Sequence, residues 1–190
     1  GLTEELNLPK NLTAIPDHCF ENCKSIELVY PQELVTVIGN YAFSGCDNLK
    51  RVRISSNVKK IGDYAFNECS NIDTLLIANG VNEIGKWTFN RCSKLQEINL
   101  PKTITLIDDY AFSGCSALLN ITLPESLDYV GNFAFYNSAI TGELNLSNLS
   151  FLGTGAYADC NNISKVTIPD GFDAIPDRLF DGCTSLSEVV

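Results

Sequence analysis

The chain has 190 residues, 45% hydrophobic and 19% charged, a composition typical of a folded globular protein. Its formal net charge of −10 makes a nucleic-acid backbone or an anionic membrane surface an unfavourable partner and leaves proteins and glycans. No segment approaches the roughly 20 consecutive apolar residues that span a bilayer, so we expect no direct membrane insertion.

A cysteine recurs at a spacing of 23 residues and divides the chain into repeats, which we number 1 to 8. The cysteine positions are Cys23, Cys46, Cys69, Cys92, Cys115, Ser138, Cys160 and Cys183, with serine in place of cysteine in repeat 6. Only Cys19 falls outside the series. A fixed period of this length indicates a solenoid in which each repeat forms one coil.

Apolar residues keep fixed places relative to the cysteine position. An aromatic residue stands three before it in every repeat: Phe20, Phe43, Phe66, Phe89, Phe112, Phe135, Tyr157 and Phe180. Aliphatic residues stand eight before it and six after it in every repeat, as Ile84 and Ile98 do in repeat 4. One coil alone leaves these side chains unburied, so stability depends on the stacking of neighbouring coils.

Repeat 4 shows the elements in chain order. A tight turn or short helix is predicted after Ile84-Gly85, with an aromatic side chain packing inward. Ile98 and Leu100 then alternate with polar residues, which is the period of a strand with one buried face. Pro101 ends the strand because proline cannot donate to a ladder.

Repeat 6 departs from the pattern. Ser138 replaces the cysteine, Thr141 takes the place of an aliphatic residue, and Cys160 follows after 22 residues rather than 23. These changes indicate either a change in curvature or a slightly slipped strand. We favour the slipped strand.

The repeat resembles the BspA-like, or treponemal-type, leucine-rich repeat over residues 2 to 190. The resemblance rests on L-x-x-I-x-L-P followed by I-G-x-x-A-F and a cysteine three residues later, as at Ile38-Gly39, Ala42-Phe43 and Cys46. It implies an α/β repeat solenoid, an arc with a parallel β-sheet on its concave side. Short turns or short 3-10 helices and a second short strand on the convex side complete the implied coil.

The same resemblance implies one leucine-rich-repeat domain over residues 1–190, with about eight 23-residue repeats and partial repeats at both ends. Several proteins of this kind are surface or secreted adhesins of host-associated bacteria. An extracytoplasmic location, at the cell surface, in the periplasm or secreted, is therefore implied. A cytoplasmic location stays open, because buried free thiols suit a reducing compartment equally well.

The cysteine series has three interpretations: buried free thiols, disulfides or a metal site. We favour buried thiols that donate weakly to the turn backbone, because Ser138 can replace such a group but cannot continue a disulfide series. Stacked coils lie about 4.8 Å apart with parallel Cβ vectors, which disfavours bridging. A straight row also cannot converge on zinc, so we expect no metal site.

A row of rings stands five residues before the cysteine position: Tyr41, Tyr64, Trp87, Tyr110 and Phe133. Its regularity favours a packing ladder over a binding strip, with Trp87 the best candidate for an exception. His18 occupies the same place in repeat 1, next to Cys19 and Asp17. A Cys/His nucleophile pair is conceivable there, but no third group is evident to orient the imidazole, and an unusual surface residue is the favoured interpretation.

The outward positions of the strands change character in repeats 1 to 3. We call Leu28, Tyr30, Arg51, Arg53 and Leu76 the sheet patch, a candidate ligand-binding site on the predicted concave face. It combines apolar surface with two arginines in an otherwise acidic chain, and Tyr and Arg are typical anchors of protein interfaces. The alternatives are that terminal repeats are simply atypical, or that a preceding segment covers this surface.

These observations favour a non-catalytic protein–protein interaction module, with a surface or secreted adhesin or recognition role. Its partner would be a host extracellular or bacterial envelope protein. No paired carboxylates, phosphate loop or nucleophile-base pair in a credible context points to an enzyme, and we expect no cofactor. The alternative is a scaffold that self-associates through uncapped ends, because the pattern begins within a strand at Leu6 and Leu8 and ends within another at Val189-Val190.

Overall fold

In a computed structural model, which describes Leu6 and residues 8–190, two rows of short parallel strands follow the solenoid axis. The row after the cysteine positions contains β2 (Leu28–Val29), β4 (Arg51–Ile54), β6 (Thr74–Ile77), β8 (Glu97–Asn99), β10 (Asn120–Thr122), β12 (Thr141–Asn145), β14 (Asn162–Thr167) and β15 (Glu188–Val189). The row before them contains β1 (Ala14–Ile15), β3 (Val37–Ile38), β5 (Lys60–Ile61), β7 (Glu83–Ile84), β9 (Leu106–Ile107), β11 (Tyr129–Val130) and β13 (Phe151–Leu152).

The pairing register equals the repeat length in the first sheet. Val52 pairs with Leu75, and Ile98 pairs with Ile121, each across one repeat. The strand order is β2-β4-β6-β8-β10 in this sheet and β12-β14-β15 in the next. Alternate residues of each strand therefore line one continuous apolar core, and the others form an outer face.

The first strand expected at the start of the chain is not formed where the structure can be described. Leu6 and Leu8 lie outside any strand, although Leu6 N donates to Leu28 O at 3.4 Å. Asn7, which lies between them in the predicted strand, is outside the described residues, as are Gly1 to Glu5.

The slipped strand predicted for repeat 6 is confirmed. Ile140 is buried and Thr141 is exposed, so the aliphatic place has moved back by one residue. Between β12 and β14 the register shifts between Gly142 and Glu143. This bulge-like irregularity accommodates the displaced Ile140 just before β12. The lost residue lies after β12, because Leu144 and Leu152 are eight residues apart instead of nine.

The predicted solenoid of stacked coils with parallel sheets is confirmed, whereas the helical part of the α/β class is not found among the described residues. The segment before each cysteine is a turn with positive φ at two positions four residues apart, such as Tyr64 (59°) and Glu68 (59°). Left-handed residues interrupt a right-handed helix. The described part of the chain is therefore an all-β solenoid in which short turns, one of the two predicted forms, precede the cysteine positions.

Hydrogen bonds in these turns alternate between the repeat itself and the next one. The amides of Tyr64, Phe66 and Glu68 donate to carbonyls of repeat 4 at 2.8–2.9 Å. Between them, Asn67 N donates back to Tyr64 O at 3.0 Å within the turn. The turns thus form a third ladder along the solenoid, which satisfies backbone groups that a helix would have paired internally.

An aromatic column fills the core beneath the turns. Phe43, Phe66, Phe89, Phe112 and Phe135 are fully buried, and neighbouring ring centroids lie 5.2–5.4 Å apart. Each ring covers one face of the ring in the preceding repeat. The column explains why the aromatic residue recurs in every repeat.

The cysteines of the inner repeats form a second buried row, as predicted, while Cys23 and Cys183 in the end repeats are half-buried and Cys19, outside the series, is exposed. All eight are unpaired, and the thiols of Cys69 and Cys115 donate to Phe43 O at 3.1 Å and to Phe89 O at 3.3 Å. Each of these bonds ties a repeat to the one before it. Ser138 Oγ takes the same place and lies 3.2 Å from Cys160 Sγ. The interpretation as buried thiols with a weak donor role is confirmed.

Candidate functional site

The sheet patch is assembled by the register of β2, β4 and β6. Leu28 is the partner of Arg51 across the first pair, and Arg53 is the partner of Leu76 across the second. All five residues line one open groove of about 300 Å³, together with Thr74. The structure therefore brings every predicted site residue to one place on the outer face of the sheet.

Apolar side chains flank the arginines of this patch. Tyr30 and Leu76 are each 46% exposed, which is unusual for side chains of this size, and Leu28 is half-buried. The Arg53 guanidinium carbon lies 5.6 Å from the centroid of the Tyr30 ring, within cation–π range. Arg53 is thus held against an aromatic face while its N–H donors remain free for a partner.

The two arginines of the patch differ from the other two arginines, Arg91 and Arg178, which pair with carboxylates, although five lysines also form no ion pair with a described residue. Six other Lys and Arg side chains pair with carboxylates, for example Lys50 with Glu27 at 3.2 Å and Arg91 with Glu68 at 2.9 Å. Arg51 and Arg53 form no ion pair with any described residue. In a chain of net charge −10, the patch is a local positive surface.

The ring row before the cysteines is a packing ladder, as predicted. Centroids of successive rings from His18 to Phe133 lie 4.0–5.7 Å apart with nearly parallel planes. The rings also have φ between 52° and 59°, and stacking offsets the cost of this conformation. The ladder ends at Gly155, where a Cβ would lie 2.4 Å from Phe133 Cε1.

His18 does not form a catalytic pair with Cys19. Its Nδ1 lies 2.9 Å from Glu21 Oε2, and its ring stacks on Tyr41 at 4.8 Å. Asp17 instead accepts hydrogen bonds from the backbone and side chain of Asn40. Glu21 is thus the partner of the imidazole, which the sequence did not indicate. The imidazole is exposed, so His18 is a surface residue.

The buried thiols are unsuited to nucleophilic chemistry. Burial raises the pKa of Cys46 to about 11 and that of Cys115 to about 12. Because the thiolate is the reactive form, these groups are inert near neutral pH. Within residues 8–190 and Leu6, no cluster of three or more His, Cys, Asp or Glu is placed to hold a metal ion. The same residues contain no helix long and apolar enough to cross a membrane.

Sequence comparison supplies the family. A model described as a BspA type leucine-rich repeat region, in six copies, matches residues 2–118 and 88–190. No curated protein sequence gives a significant match.

Solved structures share this architecture. A leucine-rich repeat protein from Bacteroides ovatus is 27% identical with a TM-score of 0.78, over 96% of this chain and 53% of that one. A leucine-rich cell surface protein from Faecalibacterium prausnitzii is 34% identical with a TM-score of 0.76, over 86% of this chain and 45% of that one. A leucine-rich repeat protein of T. pallidum is 26% identical with a TM-score of 0.60, over 93% of this chain and 69% of that one.

The chain therefore spans about half the length of the first two structures. Since the family model matches nearly all of the sequence, the chain belongs to the BspA-type leucine-rich repeat family.

Proposed function

We propose that the chain is a non-catalytic recognition module that binds an acidic partner protein through the sheet patch. Leucine-rich repeats are generally protein-interaction modules, which supports the class of function. The observation that carries the proposal is the pair Arg51 and Arg53, free of carboxylate partners among the described residues and flanked by exposed Tyr30 and Leu76. The partner would supply carboxylates to the arginines and apolar groups to the flanking side chains.

A location outside the cytoplasm accompanies this proposal. The Faecalibacterium prausnitzii relative is named as a cell surface protein, and it covers 86% of this chain at 34% identity. An adhesin that binds a host extracellular or bacterial envelope protein is the form of recognition we infer.

The test begins with capture from extracellular-matrix proteins and from envelope extract, followed by identification of the captured protein and titration with purified material. In the variant Arg51→Glu/Arg53→Glu, repulsion replaces attraction, and Tyr30→Ala removes the aromatic anchor. Loss of an interface anchor costs about 2 kcal/mol, so we expect each variant to weaken binding by about 30-fold.

The matched control is Lys59→Glu/Lys60→Glu, which changes the net charge equally at β5, in the other row of strands. We expect it to leave binding almost unchanged. Equal loss in both double variants would mean that only the overall charge matters, and an unaffected arginine variant would place the site elsewhere.

Self-association through the ends of the solenoid stays the alternative prediction. Light scattering over a concentration series separates the two, because a strict monomer at all concentrations contradicts the scaffold.

A further inference from the structure

A second groove, of about 720 Å³, lies along the turns of repeats 3 to 6. Trp87 and Tyr110 from the ring ladder form one wall, and both are half-buried. Asn90 and Ser113, which are 4% and 6% exposed, form a polar floor. The groove is thus amphipathic, and its floor is fixed by burial.

The opposite wall breaks the repeat pattern. The residue before the cysteine position is Gly, Asn or Asp in all repeats except 3 and 4, where it is Glu68 and Arg91. Both have φ of 59°, a conformation that long side chains rarely adopt, and they form an ion pair at 2.9 Å. Gly114 follows in repeat 5 and leaves the wall without a side chain, so the groove opens there.

The hydrogen-bonding groups free in this groove are side chains. The backbone amides of Arg91 and Gly114 already donate to the next repeat, at 2.7 and 2.8 Å, so an added strand has no ladder to extend. By contrast, the hydroxyls of Ser113 and Ser116 have no hydrogen-bond partner in the described chain. The Asn90 amide donates to Asn67 Oδ1 at 2.8 Å, which leaves its own carbonyl oxygen for a ligand.

Charge and spacing restrict the class of ligand. The Arg91 charge is neutralised by Glu68, and Asp47 at the rim pairs with Lys24, so no unpaired charge favours an ionic ligand. Successive repeats present serine hydroxyls about 4.8 Å apart, close to the length of one sugar unit. Ring edges beside hydroxyl and amide groups suit a neutral molecule that carries both C–H groups and hydroxyls.

We propose that this groove binds a neutral oligosaccharide chain, laid across the turns of repeats 3 to 6. Asn90, Ser113 and Ser116 form hydrogen bonds with its hydroxyls, and its C–H groups contact the edges of Trp87 and Tyr110, whose faces are stacked on neighbouring rings. The site lies apart from the sheet patch and does not depend on the function proposed for that surface.

Trp87 is the only tryptophan and lies in the groove wall, so its fluorescence reports occupancy directly. The probes are cellohexaose, xylohexaose, mannohexaose and chitohexaose, with a heparin hexasaccharide as the charged comparison. We expect at least one neutral hexasaccharide to change the emission saturably and to give heat in calorimetry, whereas the heparin fragment does neither. Absence of any response to the neutral probes at millimolar concentration, or binding of the heparin fragment alone, would overturn the proposal.

Two variants locate the binding. Gly114→Glu fills the opening with the side chain that repeat 3 carries at the same position. We expect the affinity for the oligosaccharide to fall by at least about tenfold. Ser116→Ala removes one exposed hydroxyl without risk to folding, and we expect a loss of about threefold. The control Ser147→Ala, at an exposed serine after β12, should have no effect. Unchanged affinity in both groove variants would contradict the site, while Arg51→Glu/Arg53→Glu should retain full oligosaccharide binding.

Discussion

Tyr157 is the only ring in the aromatic core column that carries a hydroxyl. It is fully buried, with its centroid 5.2 Å from that of Phe135 and 6.2 Å from that of Phe180. Its hydroxyl has no hydrogen-bond partner within the described residues, and burial raises the pKa of the phenol above its ordinary value. We therefore expect Tyr157→Phe to stabilise the fold.

The magnitude follows from two opposing terms. An unpaired buried hydroxyl costs about 1–3 kcal/mol. Its removal leaves a void no larger than a methyl group, which costs up to about 1 kcal/mol. The free energy of unfolding should rise by about 1 kcal/mol, which corresponds to an increase in Tm of about 2–4 °C for a chain of this size.

The assay is urea unfolding followed by circular dichroism and by Trp87 fluorescence. Phe135→Tyr is the matched control, because it adds a hydroxyl at the same place in the neighbouring repeat. We expect it to lower the free energy of unfolding by about 1–3 kcal/mol. A decrease for Tyr157→Phe would mean that the native hydroxyl is satisfied, and the reasoning would be refuted.

Two further perturbations test the turns and the thiol row. Gly155→Ala should destabilise the fold by more than about 2 kcal/mol in thermal unfolding, because the added Cβ would meet the Phe133 ring. The control Gly171→Ala, at φ 94° with open space around it, should cost only the roughly 1–2 kcal/mol typical of a left-handed residue. Equal losses would show that the ring contact is unimportant. In the folded protein at pH 8, an alkylating reagent should modify exposed Cys19 and leave Cys115 intact until urea is added, as read by mass spectrometry. Burial raises the pKa of Cys46 and Cys115 in the folded state above the ordinary 9.0, so above pH 9 the folded state binds more protons than the unfolded state. The free energy of unfolding should therefore fall from pH 9 to about pH 11 or 12. A free energy that stays flat over this range would contradict buried neutral thiols.

Much of the solenoid was predictable because period and burial act together. Each of the other repeats has an aliphatic residue at the position of Ile98. That position determines both the inward orientation of Ile98 and its pairing partner. The same phase predicted the assembly of the sheet patch, since Arg53 and Leu76 stand one repeat apart. The slip in repeat 6 was visible as a lost residue and a displaced Thr141.

The turns were harder to predict because their conformation depends on the neighbouring coils. Tyr64 and Glu68 are not residue types that favour positive φ, although Gly, Asn or Asp before the cysteine position in six other repeats was a local signal against a helix. The compensating contacts, ring stacking and amide donation to the next repeat, exist only after coils assemble. The groove along the turns of repeats 3 to 6 was not predicted for the same reason, although Glu68 and Arg91 in a series of Gly, Asn and Asp were a signal in the sequence.

The forward donation of the turn amides has a consequence for how such genes change in length. Phe66 N bonds the carbonyl of whichever repeat follows, and its counterparts in neighbouring repeats do the same. Unequal recombination that adds or removes a whole 23-residue unit therefore recreates an interface that already exists. A displacement of one residue within a coil instead requires a local irregularity, such as the one between Gly142 and Glu143. Selection can thus vary the reach of the molecule in whole coils while the chemistry between coils stays constant.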